Sequence, residues 1–366
     1  MGKTPSNLNK LPSALTEREG IPQPPSVNES ALNAYHKKKK PLLSTDEYFN
    51  GIINFNRAVF SRAITLIESS LPEHQDIAQE LVARCLPYSG KSIRIGITGV
   101  PGAGKSTFIE ALGKHTTTLG HKLAVLAIDP SSSRSKGSIL GDKTRMESLA
   151  TDINAFIRPS PTAGSLGGVA RKTREIIILC EAAGFDVIFI ETVGVGQSET
   201  AMHSMVDFFL LLLIAGAGDE LQGIKRGIME MADLVAINKA DGDNVIKAQI
   251  AANQVKNALH FFPKSDSGWG PETVTCSAKT HEGVTEIWNL ILNYVEFTKN
   301  NKFFEEKREH QAHQIMIDYI NNKLYDHFYQ NPLMKEMLLN AKSMLDNKTH
   351  SPYQAAQVLL DKYFKG

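Results

Sequence analysis

The chain has 366 residues, 42% of them hydrophobic, and its 40 basic and 39 acidic residues nearly cancel. This balance excludes a global field that would recruit nucleic acid or an anionic membrane, so we expect neither partner. No apolar run reaches the roughly 18 residues of a membrane span, and the longest, Phe208 to Ile214, fits a buried strand. Widely spaced Cys85, Cys180 and Cys276 favour buried free thiols in a reducing compartment over a metal or disulfide.

Residues 1–43 have the composition of a disordered tail. Pro, Ser and Asn are frequent, and Lys37 to Lys40 form an uninterrupted basic run. There is no apolar signal-peptide core, and Glu17 and Glu19 argue against an organellar presequence. We therefore expect a cytoplasmic protein.

Residues 44–90 are predicted to form an N-terminal helical extension. Ser44 to Glu47 has the capping-box pattern, in which a hydroxyl and a carboxylate satisfy the first amides of a helix. Apolar residues then recur at helical spacing from Ile52 to Ile67, which predicts one helix across this stretch. A second helix is predicted from Glu73 to Leu86, ending before Pro87.

Residues 91–300 alternate short apolar runs with amphipathic segments, which predicts an α/β domain of three layers with a mainly parallel sheet. The predicted strands are Ile93–Thr98, Leu123–Ile128, Val187–Thr192, Phe208–Ile214, Leu234–Asn238 and Thr273–Cys276. The predicted helices are Lys105–Leu119, Thr173–Ala183, Leu221–Met231 and Val245–Phe262. Ligands of such sheets bind at the carboxyl ends of the strands.

Residues 301–366 are predicted to be helical throughout. An apolar stripe is formed by Met316, Ile320, Leu324 and Phe328, and further helices are predicted over Leu333–Leu345 and Tyr353–Phe364. Such a stripe must pack against the core or against a second subunit. We prefer the second interpretation, a C-terminal helical dimerisation tail.

A complete phosphate-binding motif follows the first predicted strand and opens a helix. It consists of Gly99, Val100, Pro101, Gly102, Ala103, Gly104, Lys105 and Ser106, followed by Thr107. Glycines let successive N–H groups converge on phosphate oxygens, and the helix N-terminus adds partial positive charge. Lys105 is expected to reach the β- and γ-phosphates, and the Ser106 hydroxyl to ligate Mg²⁺. The motif and its context predict a P-loop NTPase.

The base is predicted from Asn-Lys-Ala-Asp at the end of a later strand. Guanine presents N1–H and an N2 amine side by side, two donors that match the Asp241 carboxylate, whereas adenine presents an acceptor at N1. Asn238 can contact the other edge of the base or brace the loop, and the stem of Lys239 can cover its face. Downstream, a backbone amide of Ser277, Ala278 or Lys279 can donate to guanine O6. We therefore predict binding of GTP and GDP, not ATP.

Three acids are candidates for holding Mg²⁺ together with Ser106. Asp129 and Glu191 stand at predicted strand ends, and Asp142 lies in a polar loop. Nucleotide-bound Mg²⁺ takes few protein oxygens besides water and phosphate. We assign the catalytic roles to Lys105, Asp142 and Glu191.

A nucleotide-sensing segment is predicted after Glu191. Glu191 to Gly194 stands where Ras-like GTPases carry Asp-x-x-Gly, so the Gly194 amide can sense the γ-phosphate. Val195 replaces the water-orienting glutamine, and Gln197 follows two residues later, which predicts slow intrinsic hydrolysis that a partner stimulates. The glycine-rich, acidic loop from Ala215 to Gly223 is either a plain connector or a mobile switch.

Several longer blocks together resemble the MeaB/ArgK family, which includes the methylmalonic aciduria type A protein. The blocks are "LAIDPSSSRSKGSILGDKTRM", "RPSPTAGSLGGVARKT", "ETVGVGQSE", "GAGDELQGIKRGIMEMADLVAINKADGDN" and "CSAKTHEGV", and the likeness runs from about residue 44 to the C-terminus. It implies a dimeric GTPase of the SIMIBI class. It also implies a chaperone of adenosylcobalamin-dependent methylmalonyl-CoA mutase, one that gates cofactor loading and protects or reactivates the enzyme. Adenosylcobalamin would belong to the mutase.

The resemblance also implies site residues. The family's nucleotide and Mg²⁺ residues match Lys105, Ser106, Asp129, Asp142, Glu191, Asn238, Asp241 and Ser277 to Lys279. Its partner-responsive switch loop matches Ile214 to Lys225, which includes Asp219, Glu220, Gln222 and Lys225. Residue chemistry alone does not point to cobalamin.

Two other functions stay open. The chain could be a kinase or a transport-associated P-loop ATPase, although Asp241 opposes adenine. It could also be a metallochaperone GTPase for another metalloenzyme, although it has no His- or Cys-rich tract.

Overall fold

A single parallel sheet forms the centre of the protein. The computed structural model describes residues 41–128, 146–159, 166–192, 197–216, 226–263, 265–347 and 349–365. Over these residues it contains seven strands in the order β3-β2-β4-β1-β5-β6-β7, and every pairing is parallel. The strands are β1 Ile93–Gly99, β2 Leu123–Ile128, β3 Ala155–Pro159, β4 Val187–Thr192, β5 Phe208–Ile214, β6 Leu234–Asn238 and β7 Glu272–Thr275.

Helices flank this sheet, and further helices lie before the first strand and after the last strand in the sequence. They are α1 Thr45–Ile53, α2 Arg57–Glu68, α3 Pro72–Cys85, α4 Lys105–Thr118, α5 Glu147–Ala150, α6 Leu166–Ala182, α7 Gln197–His203, α8 Arg226–Glu230, α9 Val245–Leu259, α10 Val284–Asn300, α11 Phe303–Gln330, α12 Pro332–Asp346 and α13 Pro352–Lys365. The predicted P-loop NTPase fold with helical additions is confirmed. None of these helices, within the described residues, is long and apolar enough to cross a membrane.

The continuous apolar strands are buried, as expected for a parallel sheet covered on both faces. Val187 to Ile190 of β4 and Phe208 to Leu213 of β5 are at most 2% exposed. The three cysteines are buried free thiols, which confirms the predicted state of the thiols.

The N-terminal extension differs from the prediction in one respect. The Ser44 capping box is present at the start of α1, with Glu47 accepting from the Ser44 amide. The single helix predicted from there to Ile67 is wrong, because the chain breaks between α1 and α2. Phe55 takes a left-handed φ of 48°, and the Asn56 side chain caps α2 by accepting from the amides of Ala58 and Val59. An asparagine cap therefore restarts the helix within a continuous apolar pattern.

Sequence patterns also missed or shifted other elements. The strand β3 and the helix α10 were not among the predicted elements, and α6 begins before the predicted Thr173. The seventh strand lies one residue earlier than predicted, at Glu272–Thr275. Part of the helix predicted over Leu221–Met231 lies outside the described residues, and the described part is α8.

The long helix α11 is anchored to the sheet near its start. The Arg308 guanidinium forms a bidentate ion pair with Asp207 at 2.9 and 2.7 Å, and donates to the carbonyls of Gly90 and Ser92. Gln311 donates to the Val206 carbonyl. These acceptors precede β1 and β5, so α11 is attached at the amino ends of the strands, opposite the edge where ligands are expected.

Farther along α11 the predicted apolar stripe divides. Phe328 packs against a small cluster of Ala341, Ala355 and Leu359, contributed by α12 and α13. Met316, Ile320 and Leu324 remain 49%, 45% and 58% exposed. Packing against the described residues therefore accounts for only one end of the stripe.

Candidate functional site

The P-loop between β1 and α4 has a backbone that only glycine adopts readily. Gly102 and Gly104 take φ values of 77° and 83°, and Gly104 is the N-cap of α4. Left-handed φ at these two positions curls the chain so that its amides face the start of the helix. Backbone N–H groups and the helix dipole then form a site suited to phosphate oxygens.

Gly99 is required for a different reason, which is the spacing of the sheet. It pairs in register with Leu212 of β5, and a Cβ at Gly99 would lie 2.3 Å from the Leu212 carbonyl oxygen. No side chain fits at that distance without separating the two strands. The first glycine of the motif thus holds β1 against β5 where the P-loop begins.

The Lys105 side chain lies over the P-loop. Its Nζ donates to the carbonyls of Gly99 and Val100 at 2.9 and 3.3 Å. Burial lowers the pKa of Lys105, while the carboxylates of Glu191 and Glu199 act in the opposite direction. The ammonium is therefore held at the position where the β- and γ-phosphates are expected.

Asn238 joins the P-loop to the two loops predicted to bind the base. It is 1% exposed at the end of β6, and its Nδ2 donates to the Ala103 carbonyl at 2.8 Å. Its Oδ1 accepts from the Ala278 amide at 3.1 Å. Asn238 therefore braces the loops, one of the two roles predicted for it. Its amide group links segments 135 and 40 residues away in the chain.

Asp241 and Ser277 form the polar centre of the predicted base site. The Ser277 hydroxyl donates to Asp241 Oδ2 at 2.6 Å and accepts from the Thr280 amide at 3.1 Å. Asp241 is half-buried, and the exposed Lys239 beside it takes a left-handed φ of 60°. A carboxylate fixed in this way matches the paired donors of guanine and repels the N1 lone pair of adenine. Loss of two charge-assisted hydrogen bonds here would cost about 3–5 kcal/mol.

The acids predicted to hold Mg²⁺ are described in part. Glu191 lies next to the end of β4, half-buried, and pairs in register with Ile97 of β1 and Ala127 of β2. Ser106 lies in the first turn of α4. Asp129 and Asp142 lie outside the described residues, but Ile128, which precedes Asp129, pairs in register with Thr192. The described donors are a hydroxyl and a carboxylate, which are oxygen ligands of the kind Mg²⁺ prefers.

Most of the predicted switch residues also lie outside the described residues. This holds for Gly194, Asp219, Glu220, Gln222 and Lys225, whose roles stay predictions. Gln197 is the first residue of α7.

Glu199 of α7 was missed by the sequence motifs. It is fully buried, and its charge acts on Lys105. The only signal was an acid as the last residue of the segment "ETVGVGQSE", and that pattern has no established meaning by itself.

Comparison with known proteins agrees with this geometry. Residues 60–333 match the family model of the methylmalonyl Co-A mutase-associated GTPase MeaB. The mitochondrial methylmalonic aciduria type A homolog of Mus musculus is 45% identical over 330 residues, which are 87% of this chain and 79% of that protein. The GTPase ArgK of Escherichia coli (strain K12) is 43% identical over 312 residues, covering 84% and 94%.

A solved structure is similar over nearly the whole chain. The crystal structure of a LAO/AO transport system kinase is 36% identical, covers 89% of this chain and 100% of its own, and gives a TM-score of 0.71. The family match spans the P-loop, the base site and the start of α12. The chain therefore belongs to the MeaB family of methylmalonyl-CoA mutase-associated GTPases, within the SIMIBI class of P-loop GTPases.

Proposed function

We propose that this GTPase is a chaperone of methylmalonyl-CoA mutase, or of a related acyl-CoA mutase, and that it gates adenosylcobalamin loading and protects or reactivates the mutase. The observation that carries the proposal is the family match over residues 60–333. The fixed Asp241 carboxylate supports it, because a guanine-selective switch can be regulated apart from the cellular ATP supply.

The proposed reaction is hydrolysis of GTP to GDP and phosphate. Lys105 binds the β- and γ-phosphates, and the P-loop amides orient them. Ser106 and Glu191, with Asp129 and Asp142, would hold Mg²⁺, which when bound neutralises charge on the phosphate oxygens. Asp241 and Asn238 fix the base, so the triphosphate enters in one orientation.

Turnover is proposed to depend on the partner. The sequence places Val195 where a Ras-like GTPase has its water-orienting glutamine, which leaves that function to Gln197, the partner or a second subunit. The segment from Ile214 to Lys225 is the proposed element through which the mutase and the nucleotide affect each other. Slow hydrolysis without the partner suits a gate that must wait for a correct complex.

A homodimer is proposed through the C-terminal helices. An apolar groove of about 700 Å³ runs between α11, α12 and α13, lined by Leu324, Tyr325, Tyr329 and Phe364 among others. Tyr325 and Phe364 are 62% and 78% exposed. A large apolar surface of this kind is typical of a subunit interface. Sedimentation equilibrium tests this by comparing the molecular masses of the wild-type protein, Leu324→Glu and Lys335→Glu, the last a change on α12. A monomeric wild-type protein would contradict the proposal.

The experiment on function measures GTP turnover with and without purified, cofactor-free methylmalonyl-CoA mutase. We expect stimulation of several-fold and a complex whose stability differs between GDP and a non-hydrolysable GTP analogue. Adenosylcobalamin transfer to the mutase should then require hydrolysis, so Lys105→Ala should bind the mutase yet block transfer. Absence of a complex with either nucleotide would exclude the chaperone function.

A kinase associated with transport is the second candidate, favoured by the name of the similar crystal structure. A kinase of that type would transfer the γ-phosphate of ATP to a protein. Phosphorylation assays with labelled ATP and labelled GTP separate the two functions. Transfer of label from ATP to a transport protein, with GTP inactive, would support the kinase.

A further inference from the structure

A buried polar cluster lies directly beneath the P-loop. Its members are Thr98, Thr192, Ser198 and Glu199, each at most 1% exposed. The Thr192 hydroxyl donates to Thr98 Oγ1 at 2.9 Å, and the Thr98 hydroxyl donates to Glu199 Oε1 at 3.5 Å. Ser198 donates to the other carboxylate oxygen at 3.2 Å. The cluster is thus a directed chain of hydroxyl donors that ends on a carboxylate.

This chain connects three parts of the GTPase site. Thr98 directly precedes Gly99, whose carbonyl accepts from Lys105 Nζ. Thr192 directly follows Glu191 at the end of β4. Glu199 belongs to α7, the helix that begins at Gln197. One hydroxyl on β1 therefore links the P-loop, the end of β4 and α7.

The helix α7 is closely packed against β1, so Glu199 cannot move independently. A Cβ at Gly96 of β1 would lie only 3.1 Å from the Met202 side chain and from Val206. Met202 itself is completely buried. The glycine at position 96 thus permits a contact close enough to fix the position of the helix that carries Glu199.

Burial of a carboxylate at this position needs an explanation in terms of charge. Taking an ionised carboxylate out of water costs several kcal/mol unless good partners compensate, and hydroxyl bonds of 3.2 and 3.5 Å compensate only in part. The Lys105 ammonium also interacts electrostatically with Glu199, as it does with Glu191. A costly buried charge next to a phosphate-binding lysine indicates a functional role.

We infer that Glu199 is a positioning residue for GTP hydrolysis, which acts with Thr98 to hold the Lys105 ammonium and α7 in a fixed relation. With GTP bound, the phosphates attract the Lys105 ammonium, and so do the carboxylates of Glu191 and Glu199. Without the charge of Glu199, the phosphates would still bind Lys105, but its alignment as charge develops on the γ-phosphate would be lost. The inference rests on the GTPase activity and not on the chaperone function.

The test measures intrinsic GTP turnover of the full-length chain without mutase, so its outcome is independent of the proposed partner. Glu199→Gln removes the charge at nearly constant shape, and Thr98→Val removes the linking hydroxyl at nearly constant shape. We expect each to lower kcat by about 10- to 100-fold while KM for GTP changes by less than about threefold. Thr98→Ser, which keeps the hydroxyl, should restore kcat to within about threefold of the wild-type value.

A matched control is Glu181→Gln. Glu181 is also a buried glutamate with hydrogen-bonded partners, but it pairs with Arg94 and Ser92 at the amino end of β1. We expect this variant to lower the melting temperature without the selective loss of kcat. An equal loss of kcat in the control, or a rise in KM instead of a fall in kcat for Glu199→Gln, would overturn the inference. If Glu199→Gln does not fold, the comparison of Thr98→Val with Thr98→Ser decides: equal kcat values would overturn it.

Discussion

The Ser277 hydroxyl donates a 2.6 Å hydrogen bond to the Asp241 carboxylate and so joins the loops after β6 and β7. Since the Thr280 amide donates to the same hydroxyl, the direction of the serine proton is determined. The carboxylate is thereby oriented before any base is bound. Preorganisation of this kind lets two hydrogen bonds to guanine form with little further ordering of the protein.

Replacing Asp241 by asparagine should transfer the preference from guanine to xanthine nucleotides. The asparagine amide can donate to the C2 carbonyl of xanthine and accept from its N1–H, whereas it would face the N2 amine of guanine with a donor. Competition binding of GTP, XTP and ATP to both proteins measures the change. Tight GTP binding by the variant would contradict the assignment of Asp241 to the base.

Replacing Ser277 by alanine should weaken guanine nucleotides only moderately. Loss of one hydrogen bond that orients the carboxylate costs about 1 kcal/mol, which is about a fivefold increase in Kd. Calorimetric titration with GDP gives this value directly. Ser265→Ala, which alters a serine pair with Ser267 near β7, is the control and should leave the Kd unchanged.

Replacing Lys105 by alanine should abolish measurable GTP turnover and leave the fold intact. Within the described residues, the Lys105 ammonium donates to the carbonyls of Gly99 and Val100. Burial disfavours its charged form. Loss of the side chain should therefore remove little native stability. Circular dichroism and thermal melting check the fold, and phosphate release checks turnover. A collapsed spectrum would assign the lysine a structural role instead.

Replacing Arg308 by methionine should destabilise the protein by about 3–5 kcal/mol, because it leaves the buried Asp207 without its ion-pair partner. The side chains of Arg308 and Asp207 are 16% and 1% exposed. Arg84→Met is the control, since the Arg84–Asp46 pair is 35% and 76% exposed and should contribute about 1 kcal/mol. Urea denaturation of the three proteins compares the free energies of unfolding.

The stability contribution of Asp233 should decrease as the pH rises. Burial raises the pKa of Asp233 from 3.8 to about 6, against the opposing effects of Lys307, the Phe209 amide and Tyr294. Between these two pKa values the folded chain binds a proton that the unfolded chain has released. The contribution is therefore fully present below the unfolded pKa and is lost as the pH rises through the folded one.

Asp233→Asn should reveal this effect. The free energy of unfolding of the variant, relative to wild type, should increase by about 2 kcal/mol between about pH 4 and pH 6.5. In the wild type, His203 changes stability with pH in the direction opposite to Asp233. Burial and then Lys307 lower the pKa of His203 to about 4. The stability due to His203 is therefore lost as the pH falls from 6.5. His203→Gln should remove that loss. Denaturation at several pH values measures both, and a pH-independent difference for Asp233→Asn would contradict the prediction.

The central sheet and the position of the P-loop at a strand end were predictable from the sequence because their signals are local and redundant. Six apolar runs have lengths typical of buried strands, and the P-loop and Asn-Lys-Ala-Asp motifs each follow one of them. β3 was missed because its short apolar run ends in Arg158 and Pro159, which are not typical of a central strand. The break at Phe55 was missed because the helical apolar spacing continues across it, and the capping role of Asn56 marks the start of α2.

The sequence could not show which polar groups meet across the fold. The bridge from Asn238 to Ala103 spans 135 positions, and no local pattern encodes it. The same holds for Glu199 on α7, whose role depends on its contact with Thr98 of β1, 101 positions earlier. These contacts arise from the order of strands in the sheet, which places β1 between β4 and β5.

The contact between Gly99 and Leu212 changes how substitutions at the first glycine of the P-loop should be interpreted. An inactive alanine variant at this position would usually be attributed to damaged phosphate binding. Here the added methyl group would collide with the neighbouring main chain 2.3 Å away. Low yield from expression or aggregation, rather than a weakened affinity for nucleotide, is then the outcome to look for in any inherited or engineered change at that codon.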